Sequence, residues 1–362
     1  MPELPIRAYV DAADYAREID RVWHRSWVPA TRANELPEAG AFRTLELAGS
    51  PVVVLRDEAG ELRAFHNVCR HRGAQILRES TGSVSELVCP YHNFRYALEG
   101  AFRGAPSCAG VDARATGLDL VPVAVAEHGG WAWVHLGPGA PSLATYLGPA
   151  TDELARWPLA ALVTKQRREL EVAFNWKVGV EAFLEPLHVP AIHGASAHPF
   201  VDVTRTRFFE LGEHSGMAIP FRDPDVWTHG PLGEIARAAG IAPFAGLDDE
   251  QLSHHLVYLL FPATILMVFP NHLLALTFLP LAVDRTRLVV ELLAEPAGSE
   301  AAATWYRRLE PGYEDLLRED LENLPWIQKG LAGGSLERLA LTELEQRIAS
   351  FRSSVAARLQ ND

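Results

Sequence analysis

Two short segments each place one cysteine close to one histidine, and this pattern constrains the chain more than any other. Cys69-Arg70-His71 is followed, after seventeen residues, by Cys89-Pro90-Tyr91-His92. Two thiolates and two imidazoles in this order can hold a [2Fe–2S] cluster in which the cysteines bind one iron and the histidines the other. Such ligation raises the reduction potential from about −400 mV to between about −150 and +300 mV. The pattern therefore predicts that electrons pass through this protein.

Structural zinc is the alternative interpretation of the same four side chains. Zinc sites with two cysteines and two histidines usually pair cysteine with cysteine and histidine with histidine. Here each pair mixes the two residue types, which suits a cluster whose two irons each take one ligand from each segment. Gly73 follows the first pair and allows that segment to turn tightly. The mixed spacing favours the iron–sulfur cluster.

Length and charge restrict the class of protein. A chain of 362 residues, with 48% apolar and 22% charged residues, has the length of two globular domains. The net charge of −13 argues against a basic face that neutralises phosphates. We therefore expect no nucleic-acid partner.

The cysteine count and the apolar segments indicate a protein of a reducing compartment. Only Cys108 remains beside the two cluster cysteines, and we expect it to be a small core residue. Residues 1–7 lack the apolar core of a signal peptide. Prolines interrupt the most apolar region, Leu256–Val283, which predicts a buried strand pair instead of a membrane span. The prediction is a cytoplasmic protein without a membrane partner.

The first part of the chain predicts one helix followed by a small β-sandwich. Apolar residues recur at helical spacing over Ala12–Trp27. A loop rich in glycine and proline, residues 137–141, marks the predicted boundary between domains 1–140 and 141–362. The predicted strands of the first domain are Phe42–Leu47, Pro51–Arg56, Leu62–Val68, Leu118–Glu127 and Gly130–Leu136.

The second part mixes strands with segregated helices. A strand is predicted over Lys165–Phe174, a helix from Trp176, two further strands within Leu256–Ala294 and a helical region over Ala301–Leu359. This arrangement is typical of the α+β class.

A second group of metal-ligating residues follows Asn175-Trp176-Lys177. Glu185 and His188 are three residues apart and are predicted to share one helix face. His193 lies five residues beyond His188, so the two imidazoles converge only if the helix bends or ends near Pro190. Two imidazoles with one carboxylate form the facial triad of non-haem Fe(II) oxygenases.

Both segments resemble the metal-binding motifs of Rieske ring-hydroxylating oxygenases. The flanks of the first motif, residues 66–74 and 89–96, resemble the Rieske loops of that family, and residues 175–193 resemble its catalytic-iron motif. The resemblance implies a small antiparallel β-sandwich Rieske domain and a helix-grip-like catalytic domain with an antiparallel sheet and helices. It also implies that Cys69, His71, Cys89 and His92 hold the cluster, and that His188 and His193 bind the mononuclear Fe(II).

The sequence departs from the family pattern at three positions. Ala182 stands where asparagine is common, Leu187 where tyrosine is common, and Glu185 where the acid is more often aspartate. The glutamate also occurs in members of the family that oxidise quaternary ammonium compounds such as carnitine. An aromatic substrate therefore does not follow from the family alone.

The third iron ligand has to be a distant carboxylate. Asp315, Glu319, Asp320 and Glu322 all lie in one C-terminal stretch. The run Glu319-Asp320, followed after seven residues by Gln328-Lys329-Gly330-Leu331, resembles a late signature of the family. That resemblance assigns the ligand role to Asp320, and the neighbouring acids to solvated or supporting positions.

The resemblance further assigns Glu185 a catalytic role without direct iron binding. In this family the acid bridges an iron-bound histidine to a cluster-bound histidine of a neighbouring subunit, here His188 and His92. The bridge orients both rings and carries the electron. It implies a ring-shaped oligomer, expected to be a homotrimer.

The implied function is that of the catalytic α subunit of a Rieske oxygenase. A reductase using NAD(P)H, with or without a ferredoxin, would supply electrons, and O₂ would oxidise an aromatic or other small organic substrate. The alternatives are oxidative N- or O-demethylation or monooxygenation of a quaternary ammonium compound, and, from another class, a Rieske electron carrier without oxygenase activity. A second-domain pocket is expected near the aromatic residues Phe200, Phe208, Phe209, Phe221, Trp227 and Phe244, most of them core.

Overall fold

The computed structural model describes residues 4–106 and 117–360, and the chain divides into two compact units. One unit, the Rieske unit, is Trp23–Tyr146, and the other, the catalytic unit, combines Met1–Val22 with Leu147–Asp362. The predicted bounds of 1–140 and 141–362 differ from this division, because the N-terminal helix packs with the catalytic unit. Cys108, predicted to be a core residue, lies outside the described residues.

The Rieske unit is built from short antiparallel strands. They form three sheets with the orders β1-β10-β9, β4-β3-β2-β5 and β6-β7-β8. Cys69 and Cys89 belong to its buried core, together with aromatic residues such as Phe42 and Tyr96. The strands are β1 Val28–Arg32, β2 Ala41–Leu47, β3 Ser50–Arg56, β4 Leu62–His66, β5 Thr81–Ser83, β6 Leu87–Val88, β7 Arg95–Tyr96, β8 Phe102–Gly104, β9 Ala124–His128 and β10 Trp131–His135.

The predicted central strands of this unit are observed within a few residues of their expected bounds. Asp57 begins the turn between β3 and β4, where its carboxylate accepts hydrogen bonds of 2.9 Å from the backbone N–H groups of Ala59 and Glu61. The strand predicted over Leu118–Glu127 is wrong in length, because regular pairing with β10 begins only at Ala124.

One seven-stranded antiparallel sheet forms the centre of the catalytic unit, in the order β11-β17-β16-β15-β14-β13-β12. Four of its strands lie in Leu256–Ala294 and the residues just before, so the prediction of two is wrong. The central strands are buried on both faces, which removes the polar alternation that separates neighbouring strands in a sequence. The strands are β11 Val163–Val172, β12 Arg207–Leu211, β13 His214–Pro220, β14 His254–Leu260, β15 Thr264–Phe269, β16 His272–Ala282 and β17 Arg285–Ala294.

The helices are shorter than predicted. The first ends at Glu18 and continues as a π-helical turn over Ile19–Trp23, not as an α-helix to Trp27. The C-terminal helical region is interrupted between Ala332 and Gln346. None of the described helices combines the length and the apolar character needed to cross a bilayer. The helices are α1 Ala12–Glu18, α2 Leu143–Leu147, α3 Ala150–Ala155, α4 Trp176–Ala182, α5 Val189–Ile192, α6 Pro231–Ala238, α7 Asp249–Ser253, α8 Glu300–Leu321, α9 Leu324–Ala332 and α10 Gln346–Gln360.

Buried polar contacts attach α1 to the catalytic unit. The carboxylate of Glu18 accepts hydrogen bonds from Lys177 Nζ at 2.6 and 2.7 Å and from Trp176 Nε1 at 2.9 Å. All three side chains are fully buried. Gln328 of α9 accepts from the backbone N–H of Asn175 and donates to the carbonyl of Tyr9. These contacts fix the start of α4, which leads into the segment with Glu185 and His188.

Candidate metal centres

Two equivalent turns present the cluster residues of the Rieske unit. In the first, the carbonyl of Cys69 accepts a hydrogen bond from Gly73 N–H at 3.0 Å; in the second, Cys89 accepts from Asn93 N–H at 3.0 Å. Gly73 and Asn93 occupy corresponding positions and have φ angles of +76° and +56°. The left-handed conformation favours glycine and tolerates asparagine, which explains both residue types. The role of Asn93 is not evident from the cysteine–histidine spacing.

The four predicted cluster ligands differ in burial. Cys69 and Cys89 are buried and form no disulfide, whereas His71 is exposed and His92 is half-buried. The two imidazole rings are neighbours, with centroids 4.7 Å apart, and His71 stacks on Phe94 at 4.6 Å. Two deep thiols below two surface imidazoles fit an asymmetric [2Fe–2S] cluster whose histidine-bound iron lies nearer the solvent.

Tyr96 is a further residue at this centre that the motif did not reveal. Its hydroxyl lies 3.2 Å from Cys69 Sγ and accepts a hydrogen bond from the backbone N–H of Arg70. Burial raises the pKa of the Cys69 thiol, which the Tyr96 hydroxyl partly offsets. Iron that binds Cys69 therefore has to displace the proton of its thiol. A hydroxyl donating to a cluster thiolate also tunes the reduction potential.

His188, His193 and Asp320 form a metal-competent triad in the catalytic unit, with candidate ligand atoms that all lie within 4.8 Å of one another. Asp320 Oδ1 is 3.0 Å from His193 Nε2 and 3.6 Å from His188 Nε2. Ligand atoms bound to one first-row metal at right angles lie about 3 Å apart. The donor set of two imidazoles and one carboxylate fits a mononuclear non-haem iron.

The predicted helix over Glu185 and His188, which was expected to bend or end near Pro190, is absent, and the backbone brings the two histidines together around a shorter helix. Helix α4 ends at Ala182, and Glu185 lies in a bend whose continuation as a helix is disfavoured by Pro186. His188 and His193 flank the separate four-residue helix α5, at its N-cap and C-cap positions. Their rings lie 5.2 Å apart and nearly perpendicular. The prediction that Glu185 and His188 share one helix face is therefore wrong, although they do lie in contact.

Each histidine of the triad has its own supporting carboxylate. Glu185 Oε1 lies 2.6 Å from His188 Nδ1, and Glu319 Oε2 lies 2.7 Å from His193 Nδ1. Ser196 Oγ also donates to Glu319 Oε2, at 2.5 Å. In each contact the ring Nδ1–H donates to the carboxylate, which leaves each Nε2 available to the metal position. Sequence reasoning treated Glu319 only as a neighbour of Asp320 and missed Ser196.

The electrostatics of the triad agree with this arrangement. The contacts with His193 and Ser196 lower the pKa of Glu319, so its carboxylate is ionised near neutral pH. Burial lowers the pKa of His193, but Asp320 and Glu319 outweigh burial and the net shift is upward. Two carboxylates thus stabilise positive charge on His193, the same charge that a bound metal cation would provide.

The triad opens onto an apolar cavity of about 310 Å³ within the catalytic unit. Among the aromatic residues expected near a pocket, Phe200, Phe221 and Trp227 line it, whereas Phe208, Phe209 and Phe244 do not. Gly312 and Tyr313 of α8 contribute to the wall immediately after Pro311, which removes a helical hydrogen bond at that point. The cavity offers space for a small organic molecule beside the metal position.

A β-rich unit with a two-cysteine, two-histidine centre, joined to an α+β unit with a two-histidine, one-carboxylate centre, defines a two-centre iron protein of the Rieske oxygenase type. The sequence comparisons identify the family. Residues 26–119 match the Rieske [2Fe-2S] domain, and residues 159–361 match the ring hydroxylating alpha subunit catalytic domain. The chain belongs to the family of ring-hydroxylating α subunits, whose cofactors are a Rieske [2Fe–2S] cluster and a mononuclear iron.

Individual relatives agree with this assignment. The chain is 32% identical over 190 residues to the glycine betaine monooxygenase oxygenase subunit of Chromohalobacter salexigens, covering 52% of this chain and 43% of the relative. It is 30% identical over 216 residues to the N,N-dimethyl phenylurea N-demethylase subunit alpha of a Sphingobium species, covering 56% and 45%. The chain thus spans about half the length of the curated relatives it matches.

The fold is shared with a solved structure along nearly its whole length. The quaternary ammonium Rieske monooxygenase CntA in complex with L-carnitine superposes with a TM-score of 0.81 over 99% of this chain and 96% of that chain, at 21% identity. This likeness confirms the predicted α+β class with antiparallel sheets.

Proposed function

We propose that this protein is the terminal oxygenase component of a Rieske non-haem iron oxygenase system. The observation that carries the proposal is the triad of His188, His193 and Asp320 opening onto an apolar cavity. The iron, when bound there, supplies O₂ activation, and the cluster held by the Rieske-unit cysteines and histidines supplies the electrons. A reductase using NAD(P)H, directly or through a ferredoxin, is the proposed electron donor.

The chain's own residues prepare this chemistry. Glu185 and Glu319 accept hydrogen bonds from the Nδ1–H groups and fix both rings, so that the Nε2 atoms are available as ligands. The apolar walls exclude water and strengthen the electrostatic interactions inside the cavity. A Rieske electron carrier without oxygenase activity has no use for such a cavity beside a second metal site, and this disfavours that alternative.

A homotrimer in which Glu185 connects His188 to His92 of a neighbouring subunit is part of the proposal. A surface cleft reaches Glu185 and His188, and it is lined on its outer side by Trp326 and Ile327. Trp326 is 68% exposed and Ile327 is 50% exposed. Large apolar side chains exposed side by side mark an interaction surface. We assign this surface to a second copy of the chain, because Glu185 at the bottom of the cleft needs a cluster histidine as its partner.

The oligomer is tested by placing a charge on this surface. Trp326→Glu is expected to convert the trimer to monomers in analytical ultracentrifugation and to slow turnover strongly, while both metal centres stay loaded. The matched control is Ile235→Glu, which charges a similarly exposed apolar side chain on α6 and should leave the trimer intact. A wild-type protein that sediments as a monomer contradicts the proposed assembly.

The proposed substrate is an aromatic or other small organic molecule that is hydroxylated in the cavity. The second candidate reaction is oxidative N- or O-demethylation, or monooxygenation of a quaternary ammonium compound. Two observations favour this second candidate: the glutamate at position 185, and the names of the relatives, which act on glycine betaine and on an N,N-dimethyl phenylurea. The reductase is not needed to decide between the candidates.

A single turnover tests the function. The loaded protein is reduced chemically, mixed with ¹⁸O₂ and a panel of arenes, aromatic acids, N-methyl compounds and quaternary amines, and the products are analysed by mass spectrometry. We expect ¹⁸O in a product, or formaldehyde from a lost methyl group. Cluster reoxidation without product from any panel member would instead support the electron-carrier alternative.

A pair of variants on α8 provides the control for this experiment. Asp320→Ala is expected to lose the mononuclear iron and all product while the cluster iron and acid-labile sulfide remain. Asp315→Ala, which removes an exposed carboxylate paired with Arg318 on the same helix, should retain product formation. Equal product from Asp320→Ala and the wild type would remove the assigned triad.

A further inference from the structure

Two apolar spaces of the catalytic unit share one sheet face as their floor. One is the cavity beside the metal triad, and the other is a groove of about 370 Å³ beside α8. Met267 of β15 lines the cavity, and Leu274 of β16 lines the groove. These two residues are paired neighbours in the sheet, so their Cβ atoms leave the same face about 5 Å apart. The floor therefore continues from the cavity into the groove.

Helix α8 is the wall between the two spaces. Leu309 and Leu316 of this helix line the cavity, whereas Leu317 and Leu321 line the groove. Each pair is seven or four residues apart and so occupies one face of the helix. Among the described residues, Tyr313 is the only one that lines both spaces. Its ring lies at the border of the two helix faces and closes the cavity toward the groove.

A chain of hydrogen bonds holds the Tyr313 ring in this position. Nδ1 of the buried His272 donates to Asn271 Oδ1 at 2.6 Å, because a carbonyl oxygen can only accept. Nε2 of His272 therefore carries no proton and accepts from the Tyr313 hydroxyl. Burial lowers the pKa of His272 to about 3, so the imidazole is neutral near neutral pH. Phe269 stacks on it at a centroid distance of 4.8 Å and an angle of 9°, which keeps the imidazole in place.

The groove behind Tyr313 is apolar along the sheet and charged at its rim. Val290 and Leu292 of β17 line it on the sheet face. At the rim, Arg168 of β11 forms ion pairs with Glu310 and Glu314 of α8. The charged groups thus satisfy one another, and the apolar part of the groove could accept an extension of a molecule bound beside the metal position.

We propose that Tyr313 determines specificity by limiting the length of the substrate. The inference rests on the proposed oxygenase function and narrows its substrate to molecules that fit on the cavity side of this ring. It applies to cations and to uncharged molecules alike, because it depends on the shape of the wall. A longer molecule would have to displace the Tyr313 ring, which would leave the buried Nε2 of His272 without a partner and is therefore unfavourable.

Equilibrium dialysis of the loaded, oxidised protein with two probes of different length tests the proposal. The probes are 4-phenylphenol and 4-hydroxy-p-terphenyl, rigid rods of two and three rings whose phenol groups are uncharged near neutral pH. We expect the wild type to bind the three-ring rod no more tightly than the two-ring rod. Tyr313→Ala should bind the three-ring rod at least about tenfold more tightly than the wild type does, the gain from burying one further ring. A smaller gain, or a wild type that already prefers the three-ring rod, would overturn the proposal.

Three further variants separate the ring from its surroundings. Leu317→Ala, the matched control, removes a buried side chain of the same helix that lines only the groove, so it should bind both rods like the wild type. Tyr313→Phe keeps the ring without the bond to His272 and should bind the three-ring rod with intermediate affinity. Tyr313→Leu removes less volume than Tyr313→Ala and provides the same test if that variant does not fold. Equal gains in Leu317→Ala and in the Tyr313 variants would refute the assignment.

The dialysis result is independent of turnover. If the change in length preference is observed but no ¹⁸O product forms in the single-turnover experiment, the proposed oxygenase function fails and the role of Tyr313 in binding stands. If labelled product forms without this change, the function stands and the inference about Tyr313 fails.

Discussion

Glu185 and Glu319 support the two triad histidines in the same way, so a comparison of their alanine variants can test whether Glu185 also carries the electron between the centres. Each carboxylate contacts the Nδ1 atom of one triad histidine, at 2.6 Å for Glu185 and 2.7 Å for Glu319. A hydrogen bond involving a charged group contributes about 1.5–3 kcal/mol, which corresponds to about 10- to 150-fold in rate or affinity. If each residue only orients its histidine ring, Glu185→Ala and Glu319→Ala should both lose activity within this range.

The two variants differ if Glu185 also connects the iron centre to the cluster of a neighbouring subunit. The activity of Glu319→Ala should then decrease by about 10- to 100-fold, because a carboxylate that supports a metal-bound histidine affects both metal affinity and activity. Excess Fe(II) should restore most of this activity. Glu185→Ala should keep both metal centres loaded and the cluster reducible. Its activity should nevertheless decrease by much more than about 100-fold and should not recover when Fe(II) is added. The missing step would be electron transfer.

Stopped-flow absorbance provides the measurement. The reduced protein is mixed with O₂ and substrate, and the rate of cluster reoxidation is followed together with product yield and iron content. Slow reoxidation in Glu185→Ala alone is the expected result. Equal losses in the two variants would remove the bridging role, and full activity in Glu185→Ala would refute the whole account of transfer between the centres.

Two stability predictions concern the buried ion pair and the cluster turns. Lys177→Met should cost about 3–5 kcal/mol in urea denaturation, because it leaves the buried Glu18 carboxylate without its cation, while adding Glu18→Leu should restore part of that loss. A double variant that loses the sum of both single effects would contradict the pairing. Gly73→Ala should cost about 1–2 kcal/mol through its left-handed φ, since no atom obstructs a Cβ there, and Asn93→Gly, which keeps a residue suited to that conformation, should cost less. The absorbance of the cluster during denaturation measures the stability of the Gly73→Ala and Asn93→Gly variants. Equal losses of stability in these two variants would contradict the argument from the left-handed conformation.

The sequence predicted best those features that short spacing determines. The cluster residues lie within two loops of three or four positions each, and the strands around Asp57 follow from their local pattern. Asp320 was found only because its surrounding run resembles a known signature, since nothing local connects it with residues more than a hundred positions earlier. Glu319 belongs to the same run, but its contact with His193 could not be predicted, because an acid on an acidic helix is usually a solvated charge.

The errors of prediction also have physical causes. The segment from Leu256 to Ala294 is buried on both faces in β15 and most of β16, so periodicity could not separate its strands. The helix predicted to carry Glu185 and His188 ends before them, at Ala182, and Pro186 disfavours its continuation. Pro190 instead lies in the first turn of the separate helix α5, which His188 and His193 flank.

The division of the chain described above has a consequence for the order of synthesis and folding. The Rieske unit is a continuous stretch, inserted between Val22 and Leu147, and can fold as soon as it leaves the ribosome. The catalytic unit cannot be completed at that stage, because Tyr9 bonds to Gln328 and Arg21 donates to the carbonyl of Leu359. The first helix can contact α4 once Lys177 has been made, but the residues that flank it, Tyr9 and Arg21, gain these partners only with the last two helices. Chaperone dependence, slow maturation and sensitivity to C-terminal truncation should all concentrate in the unit that holds the mononuclear iron.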